Sequence, residues 1–207
     1  MSPRLSRAEQ NERTSTLLLA AARRAFLARG YHGATLEQIA DEAGFSTGAV
    51  YSRFDGKADL FLALLEQRIT ERAAENTRLV EGKSGYQGLT ALRQNAARRD
   101  HAELEWGLLL IEFRVHAARD PALNRRYAAA HARTVQALTD VITTLYEREG
   151  QPPPAPAAHL AQLILTFAVG SRLEQAAHPE GSSTPAVSEL LGRLIDPHMP
   201  TGAKRGD

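Results

Sequence analysis

The run from Thr35 to Leu60, TLEQIADEAGFSTGAVYSRFDGKADL, permits few folds. Thr35 is followed three residues later by Gln38, the pattern in which each side chain satisfies an orphan N–H at a helix start. Leu36, Ile39, Ala40 and Ala43 recur at helical spacing, so one face of this helix is buried. Gly44 ends it, because glycine takes the left-handed conformation without a Cβ clash. Phe45 sits in the turn as an apolar plug between two helices. Ser46 is a good N-cap for a second helix, over about Thr47 to Phe54. A third helix opens at Gly56 and Lys57.

The second helix is short. Val50 and Phe54 are four apart and can face a core together, while Thr47 and Tyr51, also four apart, lie on another face. Gly48 and Ser52 lie beside them, so the outward surface is small, hydroxyl-rich and carries one phenol. Small residues let a helix backbone approach base edges, and hydroxyls can bond phosphates or bases. The next helix start, at Lys57, offers free N–H groups, a positive dipole end and an ammonium group to a phosphate. Capping boxes and glycine turns each occur on many kinds of helix. Their joint spacing is what points to a helix-turn-helix placed in a DNA major groove.

These residues resemble the TetR family of bacterial transcriptional regulators. Its usual string is T-x-x-x-I-A-x-x-A-G-[VF]-S-x-G-x-[LV]-Y-x-x-F-x-x-K-x-x-L. It is met without a gap by Thr35, Ile39, Ala40, Ala43, Gly44, Phe45, Ser46, Gly48, Val50, Tyr51, Phe54, Lys57 and Leu60. Upstream, Ala20 to Phe26 followed by Arg29, Gly30, Tyr31 and Gly33 is similar to the family's first helix and its exit. The resemblance covers the first 65 residues or so at motif level, and beyond them only a helical plan is shared. It implies phosphate contacts or caps at Thr35 and Ser46, a groove-facing set of Thr47, Gly48, Tyr51 and Ser52, and Lys57 on phosphate. Two positions depart from the family's habit. Arg53 stands where histidine is common and adds a candidate phosphate contact, and Ser52 stands where many members carry a second aromatic.

Composition narrows the rest. The chain has 207 residues, 43% of them hydrophobic, enough for one or two compact units with a core. It has no cysteine, which excludes disulfides, thiol nucleophiles and cysteine metal sites. The polar opening MSPRLSRAEQNERTST does not resemble a signal peptide, and no apolar run is long enough to span a bilayer, so a cytoplasmic protein without membrane contact is expected. The balance of 25 Lys and Arg against 24 Asp and Glu does not describe a nonspecific nucleic-acid coat. DNA affinity has to come from local placement and from doubling by a dimer. Arg4, Arg7 and Arg13 make a sparse basic N-terminal arm, a solvated tail or a minor-groove contact.

The expected organisation is all-α. Residues 1–58 form a three-helix DNA-binding head, 59–196 a larger helical domain for ligand binding and dimerisation, and 197–207 a disordered tail. A long helix over about Leu60 to Glu81 links the two parts. GKSGYQG, from Gly82, reads as a break, followed by a helix from about Leu89 to Arg99. The helix over about Ala102 to Ala118 is apolar nearly all round and so buried on several sides. It suggests a central helix that either lines a cavity or fills a solid core. Trp106, Leu110, Phe113 and His116, with Phe167 further on, are the candidate ligand-binding residues.

Asp120-Pro121 ends that helix, and a long helix runs from about Ala122 to Glu149. GQPPPAPAA, from Gly150, is an extended connector. Two helices remain, over about His159 to Ala177 and Pro185 to Ile195. The resemblance implies that they pair with the same helices of a second subunit, through Leu160, Ile164, Phe167, Leu190, Leu191 and Leu194. A two-fold interface would double the recognition helix and match a palindromic site.

Little in the sequence suggests catalysis. Glu112 and His116 are four apart on one face, but the di-iron pattern needs three-residue spacing in pairs. His32, His101, His131, His159, His178 and His198 show no metal spacing, and no phosphate loop or nucleophile elbow appears. No catalytic residue, metal ligand or cofactor is therefore assigned. Arg172, after Gly170 and Ser171, reads as close helix packing or as a partner for an anionic ligand. The function expected is a DNA-binding regulator, not an enzyme: a small-molecule-responsive repressor that binds a palindromic operator as a homodimer and is released by an inducer. The alternatives are a ligand-independent regulator, and a helical-bundle enzyme or protein-docking module with a DNA-binding head.

Overall fold

The structure, a computed structural model, describes residues 6–97, 101–178 and 184–195. Among them are nine α-helices and no strand. They are α1 (Arg7–Gly33), α2 (Leu36–Ala43), α3 (Thr47–Tyr51), α4 (Lys57–Leu79), α5 (Gly85–Ala96), α6 (His101–Ala117), α7 (Pro121–Glu147), α8 (Ala157–Ala177) and α9 (Thr184–Ile195). No helix among the described residues is long and apolar enough to cross a membrane. Arg4 and the tail from Pro197 lie outside the described residues.

The chain forms two compact units: residues 1–71 with 105–132, and residues 72–104 with 133–207. The first unit runs past residue 58 and takes in α6 from Glu105 and the start of α7. The reason lies in the aromatic core of the first unit. Phe61 and Phe113, both fully buried, stack with centroids 4.1 Å apart. Tyr31 meets Phe113 edge-on at 5.0 Å, Tyr127 lies 6.0 Å from Phe113, and Trp106 stacks on Phe61 at 6.2 Å. Leu18, Phe26, Ile39, Val50 and Leu60 belong to the same core. Aromatic pairs of this kind add about 0.5–1.5 kcal/mol each beyond the area they bury.

Local rules explain the helix ends. Ser6 caps α1 in a capping box with Glu9, so Arg7 and Arg13 belong to a helix and not to a loose arm. Within α1, Gly30 breaks the helical geometry with φ 70°. Asp120 caps α7 through Oδ1, which accepts the N–H groups of Ala122 and Leu123 at 2.8 and 3.1 Å. Pro121 at the first helical position loses nothing, because its N–H would be unpaired there anyway. The Arg126 guanidinium pairs with the Asp59 carboxylate of α4.

In the second unit, α5 packs on α8 and α9. Its core contains Val80, Leu89, Leu92, Leu138, Ile142, Leu145, Leu160 and Ile164. α5 starts at Gly85, four residues before the position expected from the glycines. Ser84 and Gln87 form a capping box there, and the glycines are contact points: a Cβ on Gly85 would lie 2.6 Å from Tyr146 Cε1, and one on Gly88 would overlap Leu145. The connector from Gly150 is non-helical until Ala157, as its prolines require.

Because Phe113 is fully buried between Phe61, Tyr31 and Tyr127, Phe113→Ala is expected to lower stability by about 3–5 kcal/mol. Urea unfolding measures this, and an unchanged midpoint would contradict the packing described.

Candidate nucleic-acid interface

Three short-range devices build the helix-turn-helix. Thr35 Oγ1 accepts the Gln38 N–H and Gln38 Oε1 accepts the Thr35 N–H, both at 3.3 Å. Gly44 has φ 75° and ψ 29°, and the N–H groups of Gly44 and Phe45 reach back to Asp41 O and Ala40 O at 3.0 and 2.9 Å. That double closure satisfies the carbonyls at the end of α2 and turns the chain sharply. Phe45 packs, half-buried, against the first core. Ser46 Oγ then accepts the Ala49 N–H at 3.3 Å and starts α3.

α3 itself runs only from Thr47 to Tyr51, shorter than the periodicity suggested. Val50 is fully buried and Phe54 is 8% exposed, so these two fix the inner face. The outer face carries Gly48, Tyr51 and Ser52, all exposed, with Thr47 half-buried beside them. Tyr51 is 58% exposed, unusual for so large a side chain. A Cβ on Gly48 would meet nothing nearer than Ser46 Oγ at 3.7 Å, so no packing within the protein demands glycine there.

The expected phosphate contacts are more committed than their positions suggested. Thr35 and Ser46 act as caps. Arg53 donates to Ala49 O at 3.1 Å and to Ser52 Oγ at 2.9 Å, and reaches Asn11 Oδ1 in α1 at 3.1 Å. Lys57 departs furthest. Its ammonium donates to His32 O at 3.2 Å and Ala34 O at 3.0 Å, and lies 4.8 Å from the centre of the Tyr31 ring. Burial pulls its pKa below the usual lysine range, with Glu112 pulling it part of the way back. The start of α4 also carries its own carboxylate: Asp59 Oδ2 accepts the Asp55 N–H at 3.1 Å. The start of α4 thus carries an inward-bonded ammonium and an acidic first turn.

Glu112 is the residue that sequence spacing left without a role. Its two carboxylate oxygens accept the N–H groups of Tyr31 and His32 at 2.9 and 3.1 Å. A Cβ at Gly30 would lie 2.8 Å from its Oε2, so the carboxylate needs the glycine beside it. His116, one turn along, has its ring 5.0 Å from Tyr31 and 5.1 Å from His32. Among the described residues no group of three or more His, Asp and Glu could hold a metal ion.

The residues expected at a ligand site and at a dimer interface fall in different settings. Trp106 and Phe113 are core, and Leu110 packs against the same core. The cavity beside Trp106, lined also by Arg23, Leu64, Gln67, Arg68 and Glu71, measures about 10 Å³ and has room for one water. Phe167 belongs to the other unit, half-buried on α8. Leu160 and Ile164 are 2% and 3% exposed within the second core. Leu190 is 58% exposed and Leu191 half-buried, while the side chain of Leu194 lies outside the described part. Among the described residues, the large apolar side chains that α8 and α9 present outward are Leu163, Leu173, Val187 and Leu190.

A capped helix, a left-handed glycine and a short second helix with its outer face open define a helix-turn-helix protein. Comparison with known proteins then places it. Residues 18–64 match the model described as bacterial regulatory proteins, tetR family. Residues 87–199, more than half of the chain, match the model described as BetI-type transcriptional repressor, C-terminal. The chain belongs to the TetR family of transcriptional regulators.

Among curated relatives, the transcriptional activator FasR of Mycolicibacterium smegmatis is 41% identical over 64 residues, 31% of this chain and 29% of FasR. The transcriptional repressor AcnR of Corynebacterium diphtheriae is 42% identical over 62 residues, 28% of this chain and 33% of AcnR. The matched segments thus span about a third of these relatives. Among solved structures, a putative TetR-family regulator from Rhodococcus sp. superposes with a TM-score of 0.71 at 22% identity, over 89% of this chain and 97% of its own. FadR of Bacillus subtilis, solved in complex with stearoyl-CoA, gives a TM-score of 0.63 at 16% identity, over 87% of this chain and 96% of its own.

With its ammonium bonded to two backbone carbonyls, Lys57→Ala is expected to cost about 1–2 kcal/mol of stability. It should leave the salt dependence of duplex binding unchanged. A slope flattened by about one phosphate, with stability intact, would return Lys57 to the DNA surface.

Proposed function

We propose that this chain is a ligand-responsive transcriptional repressor that binds a palindromic operator as a homodimer and leaves it when an effector binds. The observation that carries the DNA-binding half is the outer face of α3. Tyr51 stands in solvent and Gly48 is small without an internal reason. Both make sense if base edges and phosphates approach closely there. Thr47, Gly48, Tyr51 and Ser52 are the contacting set in this reading, with Arg53 orienting Ser52 and bracing α3 on α1.

Dimerisation is supported by the apolar side chains that α8 and α9 leave exposed, Leu163, Leu173, Val187 and Leu190. A two-fold pair would present two α3 helices to half-sites about 34 Å apart, one turn of the duplex. Repression is supported by the description of the C-terminal family, a repressor type. Ligand response is supported by a neighbour of the same fold, FadR of Bacillus subtilis, which was solved with stearoyl-CoA. An effector releases DNA only by the difference between its affinities for the two states, and operator DNA must weaken effector binding by the same factor.

Selection of duplexes from a random pool, with sedimentation of the winning complex, tests this. The expected result is a palindrome carrying two protomers. Tyr51→Ala should then weaken binding by about 1–3 kcal/mol per half-site without altering the dimer or the unfolding temperature. A pool with no enriched sequence, or a Tyr51→Ala protein that binds as the parent does, would sink the docking geometry.

A further inference from the structure

The second unit holds a cluster of polar groups largely withdrawn from water. Glu103, in the first turn of α6, has a side chain 16% exposed and pairs through Oε2 with the Arg72 guanidinium of α4. The same oxygen lies 4.0 Å from Arg172 Nη2 of α8, a side chain 14% exposed. Arg72 also reaches Glu75 Oε2 at 3.3 Å. One turn further along α4, Asn76 is 9% exposed and accepts from the Asn95 amide at 3.5 Å, the edge of hydrogen-bond range. Ser171 is 6% exposed, and its hydroxyl has no hydrogen-bond partner among the described residues. A buried hydroxyl left in that state costs stability unless something else satisfies it.

A helical bundle has no structural need of such a cluster. Apolar residues of the same volume hold an interior together at least as well as buried ion pairs. A carboxylate held between guanidinium groups on two helices is, however, the arrangement by which a protein recognises a carboxylate from outside. Phe167 stands one turn before Ser171 on α8, half-buried, and shares that face of the helix with Ser171.

We propose that Arg72 and Arg172 are the anion-reading groups of the effector site, that Glu103 occupies it in this structure, and that the effector is an amphipathic monocarboxylate whose head group exchanges with Glu103. This rests on the ligand-responsive reading above and adds to it the chemistry of the ligand. Ser171 supplies a hydroxyl donor to the incoming carboxylate, and the apolar body lies along Phe167. The exchange breaks the link that Glu103 makes between α4, α6 and α8.

The full-length protein is titrated with hexanoate, octanoate and decanoate and with the matching alcohols, followed by calorimetry and thermal unfolding. Carboxylates are expected to bind saturably and the alcohols not. Glu103→Gln should bind the carboxylates about ten-fold tighter or better, because the internal competitor has lost its charge. Arg172→Gln and Arg72→Gln should each abolish binding while keeping the helical circular-dichroism signal. If one arginine variant fails to fold, the other and Glu103→Gln carry the comparison. Carboxylate affinity that is the same in all the folded variants as in the parent, or no saturable binding to Glu103→Gln, overturns the proposal.

A selected operator duplex separates the two claims. Carboxylate bound with the duplex retained leaves the site standing and removes the ligand-responsive reading. Release by a neutral or cationic compound, equally in the parent and every variant, does the reverse.

Discussion

The turn between α1 and α2 is held from both sides by opposite charges, and the placing of α2 and α3 depends on that grip. Glu112 takes the amide hydrogens of Tyr31 and His32, while Lys57 takes the carbonyl oxygens of His32 and Ala34. Backbone groups left unpaired at a break in a helix are costly when water is excluded. Here Gly30 makes the break and two charged side chains from α6 and α4 repair it. The residue that follows, Thr35, is the cap that starts α2. The direction in which α2 and α3 leave α1 is therefore set by a carboxylate and an ammonium that come from elsewhere in the chain.

This arrangement explains why the first unit includes residues 105–132. Phe113 is one residue beyond Glu112 on α6, so the side chain that fills the aromatic core and the side chain that pairs the turn arrive together. Tyr127 and Arg126 do the same from α7, one packing on Phe113 and the other pairing with Asp59. A carboxylate in a mostly apolar setting is stabilising only when its lone pairs are used. Two amide donors and a nearby ammonium meet that condition.

What the sequence made legible was set by range. Thr35 with Gln38, Gly44 and Ser46 obey rules that act within three or four residues, and the structure has the helix, turn and helix they foretold. Ser84 with Gln87 obeys the same capping rule, yet the surrounding glycines read as a break, because what they accommodate is Leu145 and Tyr146 about 60 residues away. Glu112 meets Tyr31 across 81 positions, and no spacing could show it. α8 is apolar on most of its surface, so periodicity could not tell which leucines belonged to the unit's own core. Leu160 and Ile164 went inward, and Leu163 and Leu173 stayed out. Lys57 stands at a helix start, and no spacing shows that its long side chain reaches the carbonyls of His32 and Ala34.

The brevity of α3 has a consequence of its own. Five residues cannot sustain a helix in water, since the first turn fixes several torsions for a single hydrogen bond. The outer face of α3 therefore has no existence apart from Val50, Phe54 and the caps that impose it. Fraying of the first unit and loss of the surface are one event, so whatever DNA holds α3 also holds the unit folded, by mass action. A bound duplex should slow amide exchange not only at α3 but as far away as the Tyr31 and His32 amides beneath Glu112, turning those two protons into a remote gauge of operator occupancy.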